Sequence, residues 1–238
     1  MARGYLKYLI LLWCCFALGH LYGQGDSVRL SNRFDFADGL YRSHAAMAAN
    51  RPDVRWTEVE AALAVNTITF QARLGPLRVK ATGELIPATE FWGFSHEGVP
   101  YLRIWEVDRR TAKKTGAETA DTAGVVLFAG LQYTGRISYF GFPDDSTRMV
   151  TIKAYNPLTG KPFREGKVPR TETFYREFML HMDTGEIAPL SWPQLRAWIR
   201  DDQQLLQQLS RLEAGEIDLV RVLQTYDSRN PFFMRRGG

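Results

Sequence analysis

From Asp26 to about Leu190 the chain runs in short β-branched or aromatic segments broken by Gly, Pro, Asn and Asp, the punctuation of a mostly antiparallel β protein. The clearest pair lies mid-chain. Phe91-Trp92-Gly93-Phe94 and Pro100-Tyr101-Leu102-Arg103-Ile104-Trp105 flank Ser95-His96-Glu97-Gly98, where Gly98 can supply the positive φ that closes a hairpin. The continuous apolar run Val125-Val126-Leu127-Phe128-Ala129 predicts a strand buried on both faces, and Arg136-Ile137-Ser138-Tyr139-Phe140 predicts another. Asp144-Asp145 reads as a loop after Pro143. The strand that follows, Met149 to Tyr155, alternates at Ile152-Lys153-Ala154-Tyr155 as a strand with one wet face does, and Asn156-Pro157-Leu158-Thr159-Gly160 is a turn. Phe174 to Met182 predicts a strand, with a helix as its rival, entering the tight turn Asp183-Thr184-Gly185 with Gly185 left-handed. Asp108 to Thr122 has no apolar period and predicts an exposed loop.

After Leu190 the period becomes helical. Ser191-Trp192-Pro193-Gln194 has the form of a capping box, with Leu190 and Leu195 at the staple positions, so a helix is expected to begin at Trp192. Asp202 can cap a second helix carrying Leu205, Leu206, Leu209 and Leu212 on one stripe, ended by Gly215. A third from Glu216 carries Ile217, Leu219, Val220, Leu223 and Tyr226 and stops at Asn230-Pro231, because the residue before proline avoids helical angles. One-sided stripes are stable only when covered. The expected architecture is therefore α+β: a mostly antiparallel β-sheet body over residues 24–190, followed by a C-terminal helical segment of about three helices, 191–238, packed on it.

The first residues follow a different logic. Arg3 and Lys7 precede the apolar run Tyr8 to Leu18, which gives way to Gly19-His20, the tripartite order of a secretory signal. The run is too short for the roughly 20 apolar residues that a spanning helix needs, so a removed signal over 1–23 is expected rather than an anchor. The expected cut lies between Gly23 and Gln24, with a cut after Gly25 as the near alternative. Both cysteines, Cys14 and Cys15, fall inside this segment, and a cysteine-free mature chain excludes disulfides, thiol catalysis and Cys-ligated zinc. Losing Arg3 and Lys7 lowers the formal charge from +4 to +2. Charges of both signs look interspersed, with the densest basic patches at Arg109-Arg110, Lys113-Lys114 and Arg235-Arg236, so nucleic acid is not an expected partner. No apolar stretch after residue 23 reaches membrane-spanning length.

Candidate chemistry is sparse. His44, His96 and His181 are scattered, without paired zinc spacing. Ser95-His96-Glu97 places a nucleophile beside a base, but sequence neighbours usually point apart, and a solvated turn is the plainer reading. Asp35, Asp38 and Gly39 lack EF-hand spacing and read as a turn into Leu40-Tyr41-Arg42. Asp201-Asp202 fits helix capping. There is no phosphate-loop, dinucleotide or Gly-x-Ser-x-Gly pattern, so no catalytic, metal or cofactor residue is assigned from sequence. Trp92, Tyr101, Trp105, Tyr133, Tyr139 and Tyr155 fall on expected strands; they would form either core or an exposed aromatic row able to stack on sugar rings.

Asp38-Gly39-Leu40-Tyr41, Trp92-Gly93-Phe94, Asp183-Thr184-Gly185-Glu186-Ile187 and the short helices after them resemble a group of uncharacterised exported bacterial proteins with no assigned activity. The resemblance spans most of the mature chain and implies export and an α+β fold. The function expected is that of a soluble, non-enzymatic interaction or structural protein of the bacterial envelope or the extracellular space, periplasmic or secreted, whose partner is an envelope protein or glycan. The alternatives are an exported hydrolase and a small-ligand binder with a barrel-like β body. Intact-mass analysis of the exported chain is expected to place Gln24 first; a chain retaining residues 1–23 would remove the signal reading.

Overall fold

The computed structural model describes residues 27–104, 125–155, 157–160, 162–212 and 217–235. Gly23 and Gln24, Cys14 and Cys15, Trp105 and the basic pairs Arg109-Arg110 and Lys113-Lys114 lie outside them, as do Gly215 and Glu216. Among the described residues the body is antiparallel β-sheet with helices, the α+β class expected from the periodicities.

In chain order the strands are β1 Ser27–Arg29, β2 Gly39–Tyr41, β3 Val59–Asn66, β4 Gln71–Val79, β5 Leu85–Ile86, β6 Gly93–His96, β7 Val99–Arg103, β8 Val126–Gly130, β9 Ile137–Tyr155, β10 Pro162–His181, β11 Ile187–Pro189 and β12 Phe233–Arg235. The helices are α1 His44–Ala48, α2 Trp192–Trp198, α3 Gln203–Leu209 and α4 Leu219–Arg229. One sheet has the order β2-β6-β7-β8-β4-β3, with β5 paired to β4; a second is β11-β10-β9; β1 and β12 form a third. All the named ladders are antiparallel. The large sheet is open, since β2 and β3 stand at its ends with no ladder between them.

Successive side chains of a strand point to opposite faces, and three cores follow from that rule. In the large sheet, Leu40, Leu74, Phe94, Tyr101 and Phe128 enter a core with Phe91 and Ile86. Their neighbours Tyr41, Leu102 and Ala129 face the other way, into a second core that they share with Phe140, Phe142, Phe178 and Leu180 of the β9–β10 ribbon. The opposite face of that ribbon, Ile137, Tyr139 and Met179, forms a third core with Leu195 and Ile199, with Leu205 and Leu209, and with Val222, Leu223 and Tyr226 from the region of α2, α3 and α4.

The hairpin of β6 and β7 is tighter than expected. Glu97 (φ 52) and Gly98 (φ 73) form a two-residue loop with both central residues left-handed, so Ser95 and His96 belong to the strand and not to the turn. Asp38 holds this loop: its Oδ1 accepts from the Ser95 hydroxyl at 3.2 Å and from the Gly98 amide at 3.1 Å. Gly39 is required where it stands, because a Cβ there would lie 2.6 Å from the Val54 carbonyl oxygen.

At the C-terminal end α2 begins at Trp192 as expected, but Ser191 makes no side-chain capping bond. Asp202 caps α3 through the Leu205 amide at 2.9 Å, and Asp218 caps α4 through the Arg221 amide at 3.1 Å. The tail is helical only in part, since it ends in β12, paired with β1 near the opposite end of the described chain. Asp227 on α4 secures this closure from a buried position. It accepts from the Arg136 amide at 2.7 Å, the Tyr133 hydroxyl at 3.1 Å and the Arg29 guanidinium at 3.2 Å, so one carboxylate ties α4 to β1 and to the start of β9. Asp227→Ala is expected to cost about 2–3 kcal/mol, since it leaves a buried amide unpaired. Urea denaturation of the variant measures this, and a change within the noise would show that the carboxylate is not needed.

Candidate interaction surface

Two strands expected to be separate elements are one. β9 runs unbroken through Pro143-Asp144-Asp145, and β10 runs unbroken from Pro162, so together they form a hairpin of 19 and 20 residues. The loop expected at Asp144-Asp145 is therefore strand. Asp144 pairs with Arg176 at 2.6 Å, and Asp145 accepts from Thr173 at 2.7 Å across the ladder. The 157–160 turn is where the sequence put it, with Gly160 left-handed. Phe174 to His181 is strand, not helix, and Gly185 (φ 73) closes the turn into β11.

Only the base of this hairpin, from about residue 137 to 142 and 178 to 181, is covered on both faces. Beyond it the ladder continues for another dozen residues per strand, roughly 35–40 Å at about 3.3 Å per residue, with its described side chains exposed or half-exposed. The expectation of one dry face for Ile152 to Tyr155 fails, since both faces are wet. Met149 is 60 % exposed, Ile152 52 %, Phe174 50 % and Leu158, at the tip, 93 %. In register, Val150 lies opposite Val168 and Ile152 opposite Gly166, so the face that begins in the core at Phe140, Phe142 and Phe178 carries Phe174 opposite Asp144, then the charged rung of Arg148 and Arg170, and beyond it an apolar group of Val150, Val168 and Ile152.

Positive charge is concentrated on the outer part of the same arm. Residues 146–171 contain Arg148, Lys153, Lys161, Arg164, Lys167 and Arg170 against Glu165 alone, a formal +5 where the whole chain carries +4, so all other residues together sum to −1. The basic patches picked out from sequence miss this, because its cations are spread singly over residues 148–170 rather than adjacent in the chain. Ion pairs hold some of them: across the strands Arg148 meets Glu172 at 2.7 Å and Lys153 meets Glu165 at 3.0 Å, and along β10 Arg170 meets the same Glu172 at 3.3 Å.

The other candidates form no working site. Ser95 is buried and donates to the Phe36 carbonyl and to Asp38, while His96, next on the strand, packs edge-on near Trp56 at 6.3 Å, so the two do not act on a common substrate. Asp38 is engaged by the hairpin loop and Asp202 by Arg229 at 2.6 Å, and Asp201 accepts from Tyr226 at 2.9 Å. Among the described residues no group of three or more His, Cys, Asp or Glu is arranged to hold a metal ion, and no helix is long and apolar enough to cross a membrane. The aromatic row does not form: Tyr101, Trp92 and the pair Tyr133 and Tyr139 join three different cores, leaving Tyr155 exposed on the arm.

β8 is not buried on both faces either. Val125 and Leu127 are partly exposed and, with Ala62, Ala64, Gly75 and Arg73, line an open trough of about 540 Å³ that has one cationic side chain and no carboxylate or imidazole. The inner side of the large sheet, where a barrel-like body would hold a ligand, is filled by Phe91, Phe94, Tyr101 and Phe128.

Sequence reasoning passed over one pairing of chemical groups. His44, at the start of α1, and His181, at the end of β10, lie near enough to influence each other, and each packs edge-on against a tryptophan, Trp92 at 5.5 Å and Trp198 at 5.3 Å. Gly185 makes room for His44, since a Cβ on it would stand 2.5 Å from the ring. Nε2 of His44 and Nδ1 of His181 are buried without a hydrogen-bond partner. Burial, above all, holds both imidazoles below the ordinary histidine value.

Compared with protein-family models, with curated proteins and with solved structures, the chain matches none.

With both histidines depressed in the folded state, the unfolded chain binds more protons as pH falls below about 6.5, so the stability they contribute is present above that pH and is lost as pH drops through their folded values. Urea midpoints between pH 7.5 and 5 are expected to fall for the native chain and to fall less steeply for the His44→Gln, His181→Gln double variant. Equal slopes would show that these rings do not carry the dependence.

Proposed function

We propose that this protein is an exported, non-enzymatic interaction module of the bacterial envelope or the extracellular space, and that the β9–β10 arm is the element with which it holds its partner. One observation carries the reading: an arm that keeps Met149, Ile152, Leu158, Val168 and Phe174 in solvent. Cross-strand pairs contribute only about 0.2–1 kcal/mol each, and a two-stranded hairpin on its own is marginal in water. Several large apolar side chains held in solvent on one projecting element mark a place where something binds. Export rests on the order of Arg3, Lys7, the apolar run to Leu18 and Gly23. The absence of a nucleophile–base pair at Ser95 and His96, and of titratable carboxylates in the trough, gives the hydrolase alternative no support among the described residues.

The test is to shorten the arm and leave the base intact. Ser146 lies opposite Glu172, so replacing residues 147–171 with Asn-Gly gives a two-residue turn in register. The shortened chain is expected to keep its thermal midpoint within a few degrees, because none of the three cores is touched. It is also expected to lose the stoichiometric partner that gentle crosslinking in the native envelope and mass spectrometry recover with the native chain. Recovery of the same partner with the shortened chain would overturn the assignment of the arm.

A further inference from the structure

The geometry points to a specific mode of binding: the outer edge of β9, between Asp145 and Lys153, pairs with an extended, acidic segment of a partner protein. This rests on the arm being the contact element, and it adds which edge is used and what chemistry the partner brings.

The edge can be identified from the prolines and the register. In an antiparallel pair, residues alternate between positions whose N–H and C=O point into the ladder and positions whose groups point away. Pro143 lies opposite Tyr175 and Pro169 opposite Met149; neither proline has an N–H, so these odd-numbered pairs are the ones whose backbone groups point outward. Two side chains bear this out independently. Gln132 donates to the Gly141 carbonyl at 3.1 Å and Gln71 to the Pro143 carbonyl at 3.4 Å, both from outside the ladder. The amides of Asp145, Met149, Thr151 and Lys153 therefore face away from β10. Among the described residues they have no strand beside them, because β9 is the last strand of its sheet.

The two edges differ. On β10, Pro169 removes a donor from the middle of the outer row, a common way of blocking an edge. On β9 the row from Asp145 to Tyr155 contains no proline. One side of the arm is blunted and the other is left as a template for strand addition.

Charge selects the occupant. Two copies of the outer part of the arm, residues 146–171, would bring +5 against +5, so a second copy of this chain is disfavoured and an acidic segment is favoured. A lipid bilayer suits the edge poorly, since unpaired backbone groups are costly in hydrocarbon and lipid offers them no partner. A nucleic acid could meet the cations with phosphates, but it brings no regular row of donors for the outward carbonyls of β9 and no aliphatic side chains for Val150 and Ile152. A protein strand satisfies every feature: it supplies carbonyls and amides to the edge, apolar side chains to the group of Val150, Val168 and Ile152, and carboxylates to the cations.

Hydrogen–deuterium exchange on the mature full chain tests this, with a synthetic peptide of alternating Glu and Val as probe and its Lys-for-Glu counterpart as control. The acidic peptide is expected to slow exchange across residues 145–153 at least about ten-fold, a difference of about 1.4 kcal/mol, with the control peptide inert. Thr151→Pro removes an outward donor without touching the hairpin's own ladder and is expected to abolish the protection. Lys167→Pro, on the blunted edge, is expected to leave it unchanged. Should Thr151→Pro shift the thermal midpoint, Lys153→Pro makes the same test one register step along.

The inference is overturned by protection on the β10 edge, by equal protection from the Lys peptide, by unchanged protection in both β9 proline variants, or by no protection at about 1 mM acidic peptide. It is equally overturned if duplex DNA or phosphatidylglycerol vesicles protect the edge better than the peptide, or if protection appears with protein concentration alone. Loss of the cellular partner on shortening the arm, combined with any of these results, would leave the arm as contact element and remove only the edge and the acidic strand. Retention of that partner would remove both.

Discussion

The structure depends on the base of the β9–β10 ribbon being apolar on both faces. Phe140, Phe142, Phe178 and Leu180 point to one side and Ile137, Tyr139 and Met179 to the other, so one pair of strands serves as a wall of two cores. Alternation with period two makes this possible, and it also makes register decisive: a slip of one residue would exchange the two sets and spoil both cores together. The rings on the sheet side stack closely, Phe140 on Phe178 at 5.6 Å and Phe142 on Phe178 at 5.7 Å, while on the helical side Tyr139 donates to Glu177 at 2.7 Å. The large sheet and the helical end are joined through this wall.

That wall explains how the arm is aimed. The stretch beyond residue 142 has no core of its own, and its direction is set by the strands anchored below it. Gln71 and Gln132 hold the last outward carbonyls of the anchored part, and the Arg176–Asp144 pair spans the ribbon where the covered section ends. The proposed strand addition would draw on that anchoring, since a ribbon fixed at its base leaves less to order on binding. The uneven treatment of the two edges, proline on β10 and none on the outer half of β9, fits that use better than a general defence against aggregation, which would blunt both.

Three carboxylates, two of them buried, serve the frame. Asp38 fixes a hairpin loop, Asp202 starts a helix while pairing with Arg229, and Asp227 joins the two ends of the described chain. For Asp202, burial opposes ionisation, but the Arg229 guanidinium and the Leu205 amide outweigh it and hold the carboxyl below its ordinary value. The acidic pairs that stand out in the sequence are likewise engaged one by one, Asp201 by Tyr226, Asp202 by Arg229, Asp144 by Arg176 and Asp145 by Thr173.

The sequence by itself determined whatever depends on near neighbours. The start of α2 at Trp192, the caps at Asp202 and the stop at Asn230, the left-handed Gly98, Gly160 and Gly185, and the antiparallel α+β class could all be read from local spacing, because capping, turn angles and proline sterics act within a few residues. What needs a distant partner could not be read. The strand from Glu165 to Thr173 carries Glu, Lys, Pro and Arg with no alternation, since neither of its faces is buried and its ladder is made with β9. Val125 to Ala129 looked dry on both sides because hydropathy does not report that one sheet face is left uncovered. The pairing of β12 with β1 and the meeting of His44 with His181 were decided by the tertiary structure alone, because each joins positions whose closeness is created by folding and has no periodic trace in the chain.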